Sequence, residues 1–208
     1  MKQKLILLII CIFTVFLSSC GVNSPDEVQD NTKGSQTTGG VQALFASKSF
    51  SSFEDFEEHE KSAGDNGVTY YYVPSSPEPD YKLSKISKKD DTYVLIEYSA
   101  ASVDLSSENL SEYDRERLQT LICRYSLYAD GKKALEENFI TQGYKAVEYE
   151  GKTYYRSDEH AENDPTKRVI GYEIAFLENG DLIFMHLPAV DTFENMMKYT
   201  NLVKVEIK

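Results

Sequence analysis

The stretch from Gly171 to Pro188, GYEIAFLENGDLIFMHLP, constrains the fold more tightly than any other part of the chain. Asn179-Gly180 at its centre suits a two-residue type I′ turn, because both residues tolerate positive φ. Such a turn sets the pairing on either side of it. Glu178 faces Asp181, and the pairs Phe176 with Ile183, Ile174 with Met185 and Tyr172 with Leu187 follow. Side chains alternate across a strand, so these last six residues share one face, the expected core. The other face pairs Leu177 with Leu182, Ala175 with Phe184 and Glu173 with His186.

Further hairpins precede it. KAVEYEGKTYYRS turns at Glu150-Gly151, and YKLSKISKKDDTYVLIEYSA places two alternating runs around the polar turn Lys88–Asp91. Residues 110–128 admit two readings. Leu118, Leu121, Ile122 and Tyr125 fit a helical spacing, whereas Leu121, Cys123, Tyr125 and Leu127 alternate as in a strand. The β-branched and aromatic content and the Asp130-Gly131 stop favour the strand.

Helical signals frame these strands. SFSSFEDFEEHEKSAG offers Ser51 as N-cap with Glu54 three residues on, and Gly64 as a stop. Lys132–Ile140 reads as a short helix. After Pro188, DTFENMMKYTNL reads as a last helix capped by Asp191 or Thr192, with Phe193, Met196, Met197 and Tyr199 to Leu202 turned to the sheet. The class is α+β: an antiparallel β-meander of about six to eight strands with a short N-terminal helix and a C-terminal helix packed on the sheet.

The N-terminus is of a different kind. Lys2 and Lys4 precede an apolar run from Leu5 to Leu17, shorter than the roughly 20 residues that a spanning helix needs. A basic start, an apolar centre and small residues at the boundary have the layout of a secretory signal. Leu17-Ser18-Ser19-Cys20 resembles the lipobox of bacterial lipoproteins. The resemblance implies that a signal peptidase recognises Leu17, Ser18 and Ser19 and cuts before Cys20, whose thiol carries a covalent diacylglyceryl lipid. Residues 1–19 would then be the signal peptide, and the mature chain would sit extracytoplasmically, at the outer face of the cell membrane, held by two or more acyl chains. Residues 20–40 are polar and glycine-rich, a flexible tether spanning about 25 Å root-mean-square. A single α+β domain is expected over 41–208.

GKTYYR, GYEIAFLENGDLIFMHLP and the helix after them, over about residues 144–202, resemble a domain of unknown function in membrane-anchored extracytoplasmic proteins of Firmicutes. The chain has Phe176 where that pattern carries tryptophan. The shared features are structural, so the resemblance implies the fold and no activity.

Composition narrows the function. Loss of residues 1–19 takes 208 residues to 189, and loss of Lys2 and Lys4 takes the formal charge from −12 to −14. So acidic a surface repels nucleic acid at long range, which excludes that partner class. Of the cysteines, Cys11 leaves with the signal and Cys20 is lipidated, so Cys123 remains without an internal disulfide partner. Fifteen tyrosines and ten phenylalanines supply the large apolar faces.

Motifs that carry chemistry are few. No G-x-S-x-G, H-E-x-x-H, C-x-x-C or glycine-rich phosphate loop is present. Cys123, on the apolar side of its strand, reads as a small buried hydrophobe rather than a nucleophile. Glu173 opposite His186 is a polar cross-strand pair with the residue types of an acid/base couple. SDEHAENDP gathers Asp158, Glu159, Glu162 and Asp164 as oxygen donors, but without EF-hand spacing, so a solvated acidic loop is the ordinary reading and no metal or other cofactor is expected. In VTYYYVPSSPEPDY, Tyr70 and Tyr72 share a strand face, and with Tyr81 they mark a ligand platform if exposed, or sheet packing if buried. The expected function is a non-catalytic accessory or protein-interaction module of the cell envelope, with the membrane and an envelope protein as partners. The alternative is a ligand-binding lipoprotein for a glycan, peptide or cation; an envelope enzyme comes third.

Overall fold

Every strand pairing among the described residues is antiparallel. The computed structural model describes residues 48–208 apart from 90, 91, 101, 102, 104, 106–109 and 163. The segments expected to be signal peptide (1–19), lipobox with Cys20 and tether (20–40) therefore lie outside the described residues. In chain order the strands are β1 (Lys48–Phe50), β2 (Tyr70–Pro74), β3 (Tyr81–Lys89), β4 (Tyr93–Ala100) and β5 (Thr120–Ser126). They continue with β6 (Lys145–Tyr149), β7 (Lys152–His160), β8 (Val169–Glu178), β9 (Asp181–Pro188) and β10 (Leu202–Glu206). The helices are α1 (Phe53–Ser62), α2 (Glu112–Gln119), α3 (Gly131–Leu135) and α4 (Phe193–Met196). The fold is α+β, dominated by antiparallel sheet.

The Asn179-Gly180 turn has the expected left-handed backbone, φ 53° and 92°, and all the pairs from Glu178–Asp181 to Tyr172–Leu187 form as its register requires. Glu150-Gly151 turns the β6–β7 hairpin in the same way, with φ 48° and 77°.

Eight strands form one sheet in the order β1-β3-β4-β5-β9-β8-β7-β6. This differs from a single meander. Two runs of sequence neighbours, β3 to β5 and β6 to β9, meet where β5 pairs with β9. Between them the chain leaves β5, passes through α3 and re-enters at the far edge as β6. A local hairpin rule cannot anticipate that return, because the β5–β9 contact depends on side chains far apart in sequence.

The C-terminus also differs. Thr192 caps α4 through its side-chain oxygen, and a 3₁₀ turn, Met197–Thr200, follows; the chain then ends in β10, not in helix. Val203 and Val205 alternate there, and β10 pairs with β2 as a separate two-stranded ribbon. Residues 110–128 resolve into both readings at once. Ser111 accepts from Asp114 N at 3.0 Å and starts α2, and the chain straightens into β5 at Thr120. At α1 the cap is Ser52, one residue later than Ser51: Asp55 N donates to Ser52 Oγ at 3.1 Å.

Both faces of the sheet are covered. On one, Ile174, Phe176, Ile183 and Met185 pack with Phe56 of α1, Tyr72 of β2 and Met197 after α4. On the other, Leu135 and Phe139 of α3 and the π turn that extends it (Glu136–Ile140) lie over Ala175 and Leu182. Leu118 of α2 packs with Ile170, Ala161 and Leu105. α1 is fastened by a buried ion pair: Lys88 Nζ donates to Glu60 Oε2 at 2.6 Å, and Val68 N donates to the same oxygen at 2.7 Å. No helix among the described residues is long and apolar enough to cross a membrane.

Candidate functional site

Glu173 and His186 stand opposite each other on β8 and β9, on the side of the sheet that α2 approaches. Arg117 of α2 joins them. His186 is wholly buried, and both of its ring nitrogens are engaged. Nε2 lies 2.9 Å from the Arg117 carbonyl oxygen, so it carries the proton and donates. Nδ1 is then the acceptor for Arg117 Nη2 at 2.7 Å. Burial, reinforced by the Arg117 charge, pushes the imidazole pKa down to about 4, so the ring is neutral near pH 7.

The ring owes its seat to Gly171. A Cβ there would stand 2.0 Å from His186 Cε1, so a methyl group and the imidazole cannot share the space.

Arg117 extends the network outward. Its Nε donates to Glu159 Oε2 at 2.8 Å, and Nη2 stands 3.5 Å from Glu173 Oε1. Tyr113 Oη donates to Glu159 at 2.6 Å and Tyr144 Oη to Glu173 at 2.5 Å. Burial alone would raise the Glu159 pKa, but the bonds from Arg117 and Tyr113 outweigh it and hold the carboxyl below its usual range. Burial and the bond to Glu159 push Tyr113 up to about 12. One guanidinium between two carboxylates leaves the cluster with one net negative charge. With no free imidazole nitrogen, His186 positions Arg117 and has no free nitrogen with which to relay a proton.

Sequence reasoning singled out Glu173, Glu159 and His186 but missed Arg117, Tyr113 and Tyr144. The Ser111 cap was the available signal for the first two. It starts a helix on which Tyr113 and Arg117, four apart, share a face.

Of the two readings of the tyrosines, the structure shows sheet packing rather than an exposed platform. Tyr72 is 1% exposed and Tyr81 3%, while Tyr70 is half-buried. Tyr70 and Tyr72 do share a face, but β10 pairs with β2 so that this face lies on the sheet, against Tyr125. Their hydroxyls donate to Asp181 Oδ2 at 3.1 and 2.9 Å, and Tyr81 packs edge-on against Tyr199. The acidic segment is no single loop, since Asp158 and Glu159 belong to β7. Its carboxylates do not converge: Asp158 pairs with Arg156, Glu159 with Arg117, Asp164 accepts from Thr166, and the Glu162 side chain is exposed. Among the described residues no group of three or more His, Cys, Asp or Glu is placed to hold a metal ion. Cys123 is buried with Sγ 3.7 Å from the Tyr72 carbonyl, and burial pushes its thiol up to about 12, far from a reactive thiolate.

A groove lies on the same side of the sheet as α3. It encloses about 500 Å³ between α3 with its π turn and strands β7 and β8. Leu135, Ile140, Tyr155 and Leu177 make it apolar, and Lys132, Glu136, Lys152 and Glu178 rim it. Ile140 is 37% exposed. β7, which lines the groove, pairs on its other side with β6, one of the two edge strands of the sheet among the described residues. A smaller hollow of about 220 Å³ lies between Asp80, Val190 and Lys198. No protein-family model, curated protein or solved structure matches the chain.

Proposed function

We propose that the chain is a lipid-anchored extracytoplasmic module that docks an extended segment of an envelope protein on β6 and its neighbouring groove. The observation that carries this reading is the groove itself: an apolar floor with an exposed isoleucine, lined by β7, the strand that pairs with the edge strand β6. An edge strand presents unpaired backbone N–H and C=O groups, and a segment that pairs with it gains main-chain hydrogen bonds while alternate side chains enter adjoining pockets. The mixed-charge rim suits a polar backbone flanked by both signs of charge. The lipobox-like Leu17-Ser18-Ser19-Cys20 supports attachment through a diacylglyceryl group on Cys20, with 20–40 as tether.

Tyr72 and Tyr81, which would have favoured the alternative of a ligand platform had they been exposed, are packed, and this supports the groove as the contact surface. Chemical crosslinking in native membranes, followed by affinity capture and mass spectrometry, tests the reading. A single stoichiometric envelope protein, crosslinked through lysines 132, 145 or 152, is the expected product. Capture of background alone overturns it.

A further inference from the structure

The turn before β7 fixes which backbone groups of β6 face outward. Tyr149 and Lys152 are directly opposed across the two-residue Glu150-Gly151 turn. The turn's bond from the Lys152 N–H to the Tyr149 carbonyl makes them a hydrogen-bonded pair. Bonded and non-bonded pairs alternate along an antiparallel ladder. Lys145, Val147 and Tyr149 therefore turn their backbone groups inward to β7, and Ala146 and Glu148 turn theirs outward. No strand among the described residues pairs with β6 on that side, and no other described backbone group bonds to Ala146 or Glu148.

The same two residues lie on the groove's side of the sheet. Ala146 is opposite Tyr155 and Glu148 opposite Thr153, and both of these β7 residues line the groove. Directly opposed residues share a face. A strand added to β6 thus bonds through the residues opposite Ala146 and Glu148, and their side chains emerge on the groove's face. Ala146 is exposed and carries only a methyl group, so a long side chain opposite it can lean across towards Tyr155 and Ile140. Glu148 is exposed too, with Thr153 Oγ1 donating to its Oε1 at 2.6 Å. A solvent-facing carboxylate therefore stands two residues from the opening.

We infer that the segment docked on β6 is an antiparallel strand with a basic residue opposite Glu148 and, two residues later, a large apolar residue opposite Ala146. The inference rests on the docking proposed above and specifies its partner. An antiparallel strand exchanges two bonds with each of Ala146 and Glu148, whereas parallel bonds are slanted and less stable. A cation opposite Glu148 is attracted across the strand pair. A second copy fits poorly. Lys145, the one cation of β6, lies on the other face from Glu148, and two chains of formal charge −12 repel.

The probe is the heptapeptide acetyl-Ser-Thr-Lys-Val-Phe-Glu-Thr-amide, which places its lysine opposite Glu148 and its phenylalanine opposite Ala146. Amide hydrogen exchange in the isotope-labelled full-length chain in detergent is read by NMR. The peptide should protect the Ala146 and Glu148 N–H groups, while those of Lys145 and Val147, already bonded to β7, change less. Replacing the phenylalanine by alanine should weaken binding at least about tenfold. Exchanging the lysine and phenylalanine should weaken it about tenfold, because that peptide meets both positions only by docking parallel. No protection by the first peptide overturns the inference, and so does equal binding by either control. Protection of the two amides before peptide is added also overturns it. If it depends on concentration the occupant is a second copy, and if not, a segment of the chain itself.

Those measurements use the unaltered chain. Membrane crosslinking with Glu148→Lys, its exchange pattern otherwise unchanged, separates the inference from the docking itself. An adduct of the wild type that falls about tenfold in the variant supports both. Equal adducts leave docking in place and overturn the basic contact, whereas no adduct from either chain overturns docking and the inference with it.

Discussion

Tyr72 and Asp181, 109 residues apart, are joined by a hydrogen bond of 2.9 Å from Tyr72 Oη to Asp181 Oδ2. Tyr70 donates to the same oxygen at 3.1 Å. Asp181 closes the Asn179-Gly180 turn, so one carboxylate fastens the β2–β10 ribbon to the hairpin that organises the sheet. Replacing Asp181 with Ala removes this acceptor from Tyr70 and leaves Tyr72 only the longer contact to the Glu178 carbonyl at 3.4 Å, and should cost about 1–3 kcal/mol. Chemical denaturation measures the loss, and hydrogen exchange should show it first in β2 and β10.

The seat of His186 predicts a specific rescue. Gly171→Ala drives a methyl group into the imidazole and should destabilise the protein by about 1–3 kcal/mol or more. In a His186→Ala background the same substitution meets open space. A double-mutant cycle should therefore show strong non-additivity, and additive losses would contradict the contact.

Acid should destabilise the fold in a defined window. The His186 pKa lies near 4 when folded and at its ordinary 6.5 when unfolded. Between those values the unfolded chain binds a proton that the folded chain refuses, so stability falls as pH falls from 6.5 towards 4. The stabilisation is complete above 6.5, and its loss is complete below about 4, amounting to roughly 3 kcal/mol. Glu159 and Glu60, both held below their usual range, act in the same direction as their folded forms protonate at lower pH. Denaturation midpoints between pH 4 and 7 should show the slope, and His186→Gln should remove the upper part of it.

Glu60→Ala should be among the costliest single changes in α1. It withdraws the carboxylate from the Lys88 ammonium and from the Val68 N–H together, and breaking a buried ion pair from one side costs about 3–5 kcal/mol. Glu54→Ala, on the exposed side of α1, should change stability by less than about 0.5 kcal/mol.

Local chemistry in the sequence foretold local structure well. The two Gly-containing turns carried their hairpins and the full β8–β9 register, because backbone conformation and alternation leave one solution. What the sequence concealed was non-local. The β5–β9 pairing, the ribbon that turns Tyr70 and Tyr72 inward, and the helix that brings Arg117 to His186 all depend on partners far along the chain. Glu173 opposite His186 was legible from register alone. Why the pair is structural was not, since that follows from Arg117 engaging Nδ1 and from the absence of a side chain at Gly171.

The most direct test of the docking proposal is site-specific photo-crosslinking in native membranes. A photoreactive residue would replace Ile140, in the groove, and in a second variant Val203, exposed on β10. Docking at the groove predicts one discrete adduct with an envelope protein from position 140 and none from position 203. No adduct from position 140, or the same adduct from both positions, contradicts it.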